Sequence, residues 1–301
     1  MRRLLLLLPA AALVGVLTLA GPARAAVGIG IADQKATMFT DPRFDDLGIR
    51  YVRITVPWDG LGDTAALTSL DAWMAGARAT GARPLVTFDR SRRRPSYNPT
   101  PAQMATALKR LRVRYPEVKE VSTWNEANLA KRPELVARWY RAMRTACPTC
   151  TILATDLLDR PNMAAWAKRF VKAAGRPPKV WGLHNYVDAN RMTTSATRAL
   201  LRAVKGAVWF TETGGVVHRD NGSGVRFPTS PARAAQVTAF IFQRLATLSP
   251  RVQRVYLYHW DTGIDDGGTG QAATWDSGFV GPDGQSRPAL SVLQGIVARA
   301  A

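Results

Sequence analysis

Histidine and cysteine are scarce in this chain, at three and two among 301 residues. A structural zinc site needs four closely spaced ligands of these types, and three scattered histidines with one cysteine pair do not supply them. Two cysteines cannot staple a small disulfide-rich fold either. They stand together, Cys147 and Cys150, in the stretch CPTC. That spacing suggests redox chemistry in a cytosolic chain and a local structural disulfide in an exported one. Acidic residues are also in short supply, with 22 Asp and Glu against 41 Lys and Arg, for a formal charge of +19. After the N-terminal segment, no apolar run is long enough to cross a bilayer. Low-complexity linkers and short repeats, which would divide the chain, are missing as well.

The one long apolar run, Leu4 to Ala20, follows Arg2 and Arg3 and precedes Ala23-Arg24-Ala25, a small-x-small cleavage site. Residues 1–25 therefore read as a secretory signal peptide, with an uncleaved N-terminal anchor as the alternative. The expectation is a secreted protein, extracellular or cell-wall associated, whose mature part is a single domain over 26–301. Export also selects the disulfide reading of Cys147 and Cys150. Loss of Arg2, Arg3 and Arg24 lowers the charge from +19 to +16. Such a balance favours an anionic cell wall or glycan surface. Nucleic acid is not expected, because an exported chain rarely meets it. The densest basic run, SRRRP at Ser91 to Pro95, reads as a solvated loop, with a dedicated polyanion site as the alternative.

Within 26–301, short β-rich runs alternate with helical segments. The strand candidates are 27–32, 51–56, 84–88, 120–126, 151–156, 180–186, 207–213 and 254–260. Most are continuous apolar or β-branched runs, as strands covered on both faces require. Asp41-Pro42, Thr100-Pro101 and Ser230-Pro231 pair a capping side chain with a residue preset for a first helical turn. Arg132-Pro133, Arg160-Pro161 and Arg287-Pro288 mark further starts. Eight strand–helix units match a single (β/α)8 TIM barrel. The competing fold is an open doubly wound sheet. Its dinucleotide loop is not completed by Gly28-Ile29-Gly30, because Asp33 stands at the third glycine position and no helix opens there.

In such a barrel, chemistry collects at the C-terminal strand ends. Those ends read Asp33; Arg53, with Trp58 beyond; Asp89; Asn125 and Glu126; Asp156; His184 and Tyr186; Glu212; and Trp260. Glu126 in VSTWNEAN and Glu212 in VWFTETGG are 86 positions apart, and each follows an apolar run. Two carboxyls across a glycosidic bond can divide the work, one protonating the leaving oxygen and the other attacking the sugar. Arg53 in reach of Glu212 would hold it anionic. Asn125 offers a donor to a sugar hydroxyl, and Trp58 and Trp260 offer flat faces to a pyranose ring. The bland alternatives are a surface role for each glutamate, a structural role for His184, and simple packing for the tryptophans.

WNEAN and FTETG resemble the strand-four and strand-seven endings of the clan A retaining glycoside hydrolases. VRITVPW (52–58) is similar to the strand-two signature of glycoside hydrolase family 5, and HNY (184–186) to its strand-six ending. The resemblance implies a (β/α)8 enzyme cleaving β-linked glycans by double displacement. Glu126 becomes the proton donor and Glu212 the nucleophile. Arg53, Asn125, His184, Tyr186 and Trp260 become supporting groups, Trp260 flooring the sugar subsite, and Trp58 joins them as a substrate-binding candidate on its flat face alone. Ala127 replaces the proline common after the acid/base Glu, and TFDRS (87–91) lacks the histidine frequent in family 5. Families 5 and 39 and other clan A groups therefore stay open. No metal or organic cofactor is implied, a poly- or oligosaccharide is the expected substrate, and the protein is expected to act as a monomer. The rival readings are a non-catalytic glycan or cell-wall binder on the same barrel, and a metal-dependent barrel hydrolase. In 261–270, Asp261, Asp265 and Asp266 suggest a rim loop rather than a calcium site, since EF-hand spacing is absent. Asn221 begins an N-G-S sequon, His218 and Asp220 read as rim residues, and Trp275 is a weaker sugar-contact candidate.

Overall fold

The computed structural model describes residues 26–219, 226–262 and 275–300. The signal-peptide reading, the sequon at Asn221, and residues Asp220, Asp265 and Asp266 lie outside the described residues. The strands are β1 (Gly28–Ala32), β2 (Tyr51–Pro57), β3 (Arg83–Asp89), β4 (Glu120–Ser122), β5 (Thr151–Leu153), β6 (Asp156–Leu158), β7 (Val180–His184) and β8 (Ala207–Thr213). They continue with the two-residue β9 (His218–Arg219), then β10 (Val252–Tyr258) and the two-residue β11 (Trp275–Asp276). All neighbours in the main sheet pair in parallel, in the order β5-β4-β3-β2-β1-β10-β8-β7-β6. β5 and β6 are two halves of one strand, interrupted at Ala154 and Thr155. The first half pairs with β4 and the second with β7, so the ring closes as an eight-stranded barrel. β9 and β11 form a small antiparallel ribbon at the mouth.

Helices cover the outside, and several start where the prolines place them. Asp41 caps α1 (Pro42–Asp46) by accepting from the Arg43 N–H. Thr100 and Gln103 form a reciprocal capping box at α3 (Pro101–Arg114), preceded in the chain by α2 (Thr64–Ala79). Such caps satisfy amide donors that a helix start leaves unpaired. The disulfide Cys147–Cys150 closes the turn between α5 (Pro133–Ala146) and β5. Apolar side chains pointing outward from the strands meet the helices in one continuous core, where Trp73, Trp139 and Trp181 are fully buried.

The lumen is filled in layers by the alternate side chains of each strand. At its floor Glu120 binds Arg254, whose guanidinium lies over the rings of Trp209 (3.9 Å) and Tyr51 (4.1 Å). Leu85, Leu153, Val180, Trp209 and Tyr256 fill the middle. The layer above them, at the C-terminal strand ends, is polar.

Candidate active site

Alternation alone accounts for much of this polar layer. Tyr51 and Arg53, Leu85 and Thr87, Glu120 and Ser122, and Gly182 and His184 occupy successive inward positions on their strands. Glu212 and Asp156 need more. On β8, Leu183 pairs with Phe210 while His184 pairs with Glu212, so two residues, Thr211 and Glu212, face one on β7. This bulge turns both Thr211 and Glu212 inward where strict alternation would send Glu212 out. The interruption between β5 and β6 does the same for Asp156. Glu126 follows the short β4 in a left-handed conformation (φ 46°, ψ 43°), immediately before α4 (Ala127–Ala130). A non-glycine residue held there costs about 1–3 kcal/mol, and such residues cluster at active sites.

These devices bring the two glutamates together. A carboxylate oxygen of Glu126, one of Glu212 and a ring nitrogen of His184 lie within 4.8 Å of one another. Arg53 Nη1 donates to Glu212 Oε1 at 2.5 Å, and the Tyr186 hydroxyl donates to Glu212 Oε2 at 3.4 Å. His184 Nδ1 lies 3.0 Å from Glu126 Oε1 and 3.6 Å from Glu212 Oε2. Asn125 accepts from Arg53 Nη2 at 3.1 Å through Oδ1, and its backbone N–H donates to Phe88. The Glu126 and Glu212 side chains keep 26% and 12% of their surface open, whereas Arg53 and His184 are sealed.

Burial alone would drive the His184 proton off. The charge of Glu212, together with the Asp156 carboxylate at 3.7 Å and the hydrogen bond to Glu126, reverses this and raises its pKa to about 10. Burial opposes charge on Arg53 too, but Glu212 and Asp156 lift it above its ordinary value. Desolvation, reinforced by the nearby Glu212 charge, pushes the Tyr186 phenol well up. Asp89, at the end of β3, is also raised by burial, despite hydrogen bonding and charge from Arg90. The Glu126–His184–Glu212 trio is compact enough for a metal ion, which would have to displace the His184 proton in order to bind.

Arg53, Asn125, Glu126, His184, Tyr186 and Glu212 thus share one site. The two tryptophans do not join it. Trp58 is 8% exposed and stacks on Tyr97, between the strands and the outer helices. Trp260 has no exposed surface; its indole N–H donates to Asp41 Oδ2 at 3.0 Å, and its ring packs edge-on against Phe44. The expectation that Trp260 floors a sugar subsite is therefore corrected, because the chain leaves the ladder after Tyr258 and carries Trp260 beneath the β1–α1 segment. The last inward aromatic of β10 is Tyr258, half-buried above Tyr256. Counting inward positions from Arg254 through Tyr256 would have found it. Trp275 meets Tyr186 edge-on at 4.8 Å.

No family model matches the sequence, and neither does any curated protein. Solved structures do resemble it. A GH5_18 protein from Streptomyces cattleya, in complex with GlcNAc, superposes with a TM-score of 0.67 at 17% identity, over 92% of this chain and 81% of that one. A Bifidobacterium longum GH5_18 variant, in complex with Manβ1-4GlcNAc, gives 0.66 at 12%, over 91% and 78%. A GH128 endo-β-1,3-glucanase from Amycolatopsis mediterranei, in complex with laminarihexaose, gives 0.58 at 15%, over 90% and 99%. At such identities the likeness speaks for the fold: the chain is a (β/α)8 barrel of the shape these glycoside hydrolases share.

Proposed function

We propose that the protein is an exported retaining glycoside hydrolase acting on β-linked glycans. The observation that carries this is the approach of the Glu126 and Glu212 carboxylates within 4.8 Å at the barrel mouth. Retaining enzymes hold their two carboxyls about 5–5.5 Å apart, whereas inverting enzymes leave room for a water at about 6.5–9.5 Å.

Glu212, paired with Arg53 and oriented by Tyr186, attacks the anomeric carbon. Glu126 gives its proton to the departing oxygen, then takes one from the water that hydrolyses the glycosyl-enzyme ester. The Asn125 side-chain N–H₂, which bonds nothing else among the described residues, suits a sugar hydroxyl whose hydrogen bond strengthens in the transition state. Tyr258 is the aromatic best placed to meet a sugar face. The formal charge of +16 over 26–301 supports an anionic wall or glycan as the surface on which the enzyme works.

Hydrolysis of a panel of β-glucans, mannans, xylans and galactans tests the reading. Wild-type protein releases product with the β configuration first seen by NMR, and Glu212→Gln loses at least about 10³-fold in kcat. Glycan binding without turnover by the wild type would leave only a binder. Secreted protein beginning at Ala26 is the corresponding result for export.

A further inference from the structure

The Asp156 carboxylate, which the proposed double displacement does not use, lies at the centre of the polar layer with no exposed surface. Its Oδ1 accepts from Ser122 Oγ at 2.8 Å and Thr211 Oγ1 at 3.0 Å. Its Oδ2 accepts from Arg53 Nη2 at 2.7 Å and Thr87 Oγ1 at 3.0 Å; His184 Nε2 lies 3.7 Å from this oxygen and 3.4 Å from Arg53 Nη2, whose charge Asp156 offsets. Four hydrogen bonds from four strands leave this side chain one position. The position is also reserved by Gly182, where an added Cβ would stand 2.0 Å from Asp156 Oδ1.

We propose that Asp156 is a positioning residue for the glutamate pair, a buried counter-ion that fixes Arg53 against Glu212 and faces the His184 ring on the side away from Glu126. The inference rests on the glycosidase reading of the site. Charge accounting supports it. Arg53, His184, Asp156, Glu126 and Glu212 are the charged groups in contact in this layer, contributed by β2, β7, β6, the segment after β4, and β8; the Tyr186 phenol and the Asp89 carboxyl, both pushed toward their neutral forms by burial, face the two glutamates as well. With Glu126 carrying the proton it will donate, two cations face two anions and the buried layer is neutral. Without Asp156 it would hold a net positive charge away from water, which a low-dielectric interior disfavours. The least costly correction is loss of the His184 proton. Burial raises and the Arg53 cation lowers the pKa of Asp156 itself, and the cation prevails, holding it below the ordinary carboxylate range.

The chain's three histidines make His184 accessible to 15N NMR of histidine-labelled protein. In the wild type its ring stays protonated up to at least about pH 8. In Asp156→Asn it deprotonates at least about one pH unit lower, and kcat falls roughly 10–100-fold with KM changed less than about threefold. Ser122→Ala, which removes a neutral donor and keeps the charge, lowers the melting temperature but leaves the His184 titration where it was. Wild-type deprotonation near pH 6.5, or an Asp156→Asn protein with unaltered titration and kcat, overturns the proposal. If Asp156→Asn does not fold, wild-type deprotonation near pH 6.5 still overturns the proposal. A titration as expected from a protein that hydrolyses no glycan would sink the glycosidase reading and leave the counter-ion assignment standing.

Discussion

His184 shows how one residue's surroundings decide its state. A sealed imidazole normally sheds its proton, because charge is costly away from water. Here Glu126, Glu212 and Asp156 surround the ring closely enough to reverse that preference, and the pKa rises to about 10. The consequence for stability has a definite sign. A folded pKa above the unfolded value of about 6.5 means that the native state binds the proton more tightly. The stabilisation from this group is therefore complete below about pH 6.5 and is lost as pH rises through about 10. Urea unfolding of wild type and His184→Gln should show a stability gap that is constant at acid pH and narrows steadily above neutrality. A gap independent of pH would mean that His184 is neutral in the folded protein.

Strand elements show how a regular fold is bent toward chemistry. Strict alternation carries Arg53, Thr87, Ser122 and His184 into the lumen, and these positions are readable from the sequence once the strands are placed. Glu212 and Asp156 arrive by a bulge and a broken ladder, which no two-residue period announces. The sequence therefore reveals that Glu126 and Glu212 stand at strand ends, but not that both Thr211 and Glu212 point inward. For the same reason 120–126 forms a strand only over Glu120–Ser122: the backbone must leave the ladder to set Asn125 and Glu126. Trp260 stands two residues past the end of β10 at Tyr258, where strand periodicity no longer sets the direction of a side chain. Gly182 is the local signature of the Asp156 arrangement. Gly182→Ala sets a methyl 2.0 Å from Asp156 Oδ1 and 2.8 Å from Thr211 Oγ1. It should lower stability by about 1–3 kcal/mol and reduce kcat more than it changes KM. A Gly182→Ala protein of wild-type stability and activity would show that the Asp156 pocket has slack.

At the scale of the whole molecule, charge is divided by location. Carboxylates are drawn into ion pairs such as Arg43–Asp41, Arg53–Asp156, Arg254–Glu120 and Arg287–Asp276, so the excess is carried by exposed lysines and arginines. The SRRRP run belongs to that surface: Arg92, Arg93 and Arg94 are all exposed. Arg93 donates to the Gly62 carbonyl and Arg94 lies over the Tyr97 ring, so two of the three are already engaged within the protein. A field spread over many side chains attracts a polyanion without a dedicated site, and salt screens it over about 8–10 Å at physiological strength. Co-sedimentation with an insoluble anionic polysaccharide should therefore be strong at about 20 mM salt and largely lost at about 500 mM. Hydrolysis of a short neutral oligosaccharide should change little over the same range, because the Arg53 and His184 side chains that hold the two glutamates are sealed from the solvent. Arg92→Ser should weaken co-sedimentation by only about 0.2–1 kcal/mol, the worth of one exposed charge. Abolition of binding by that single change would instead identify the loop as a discrete polyanion site.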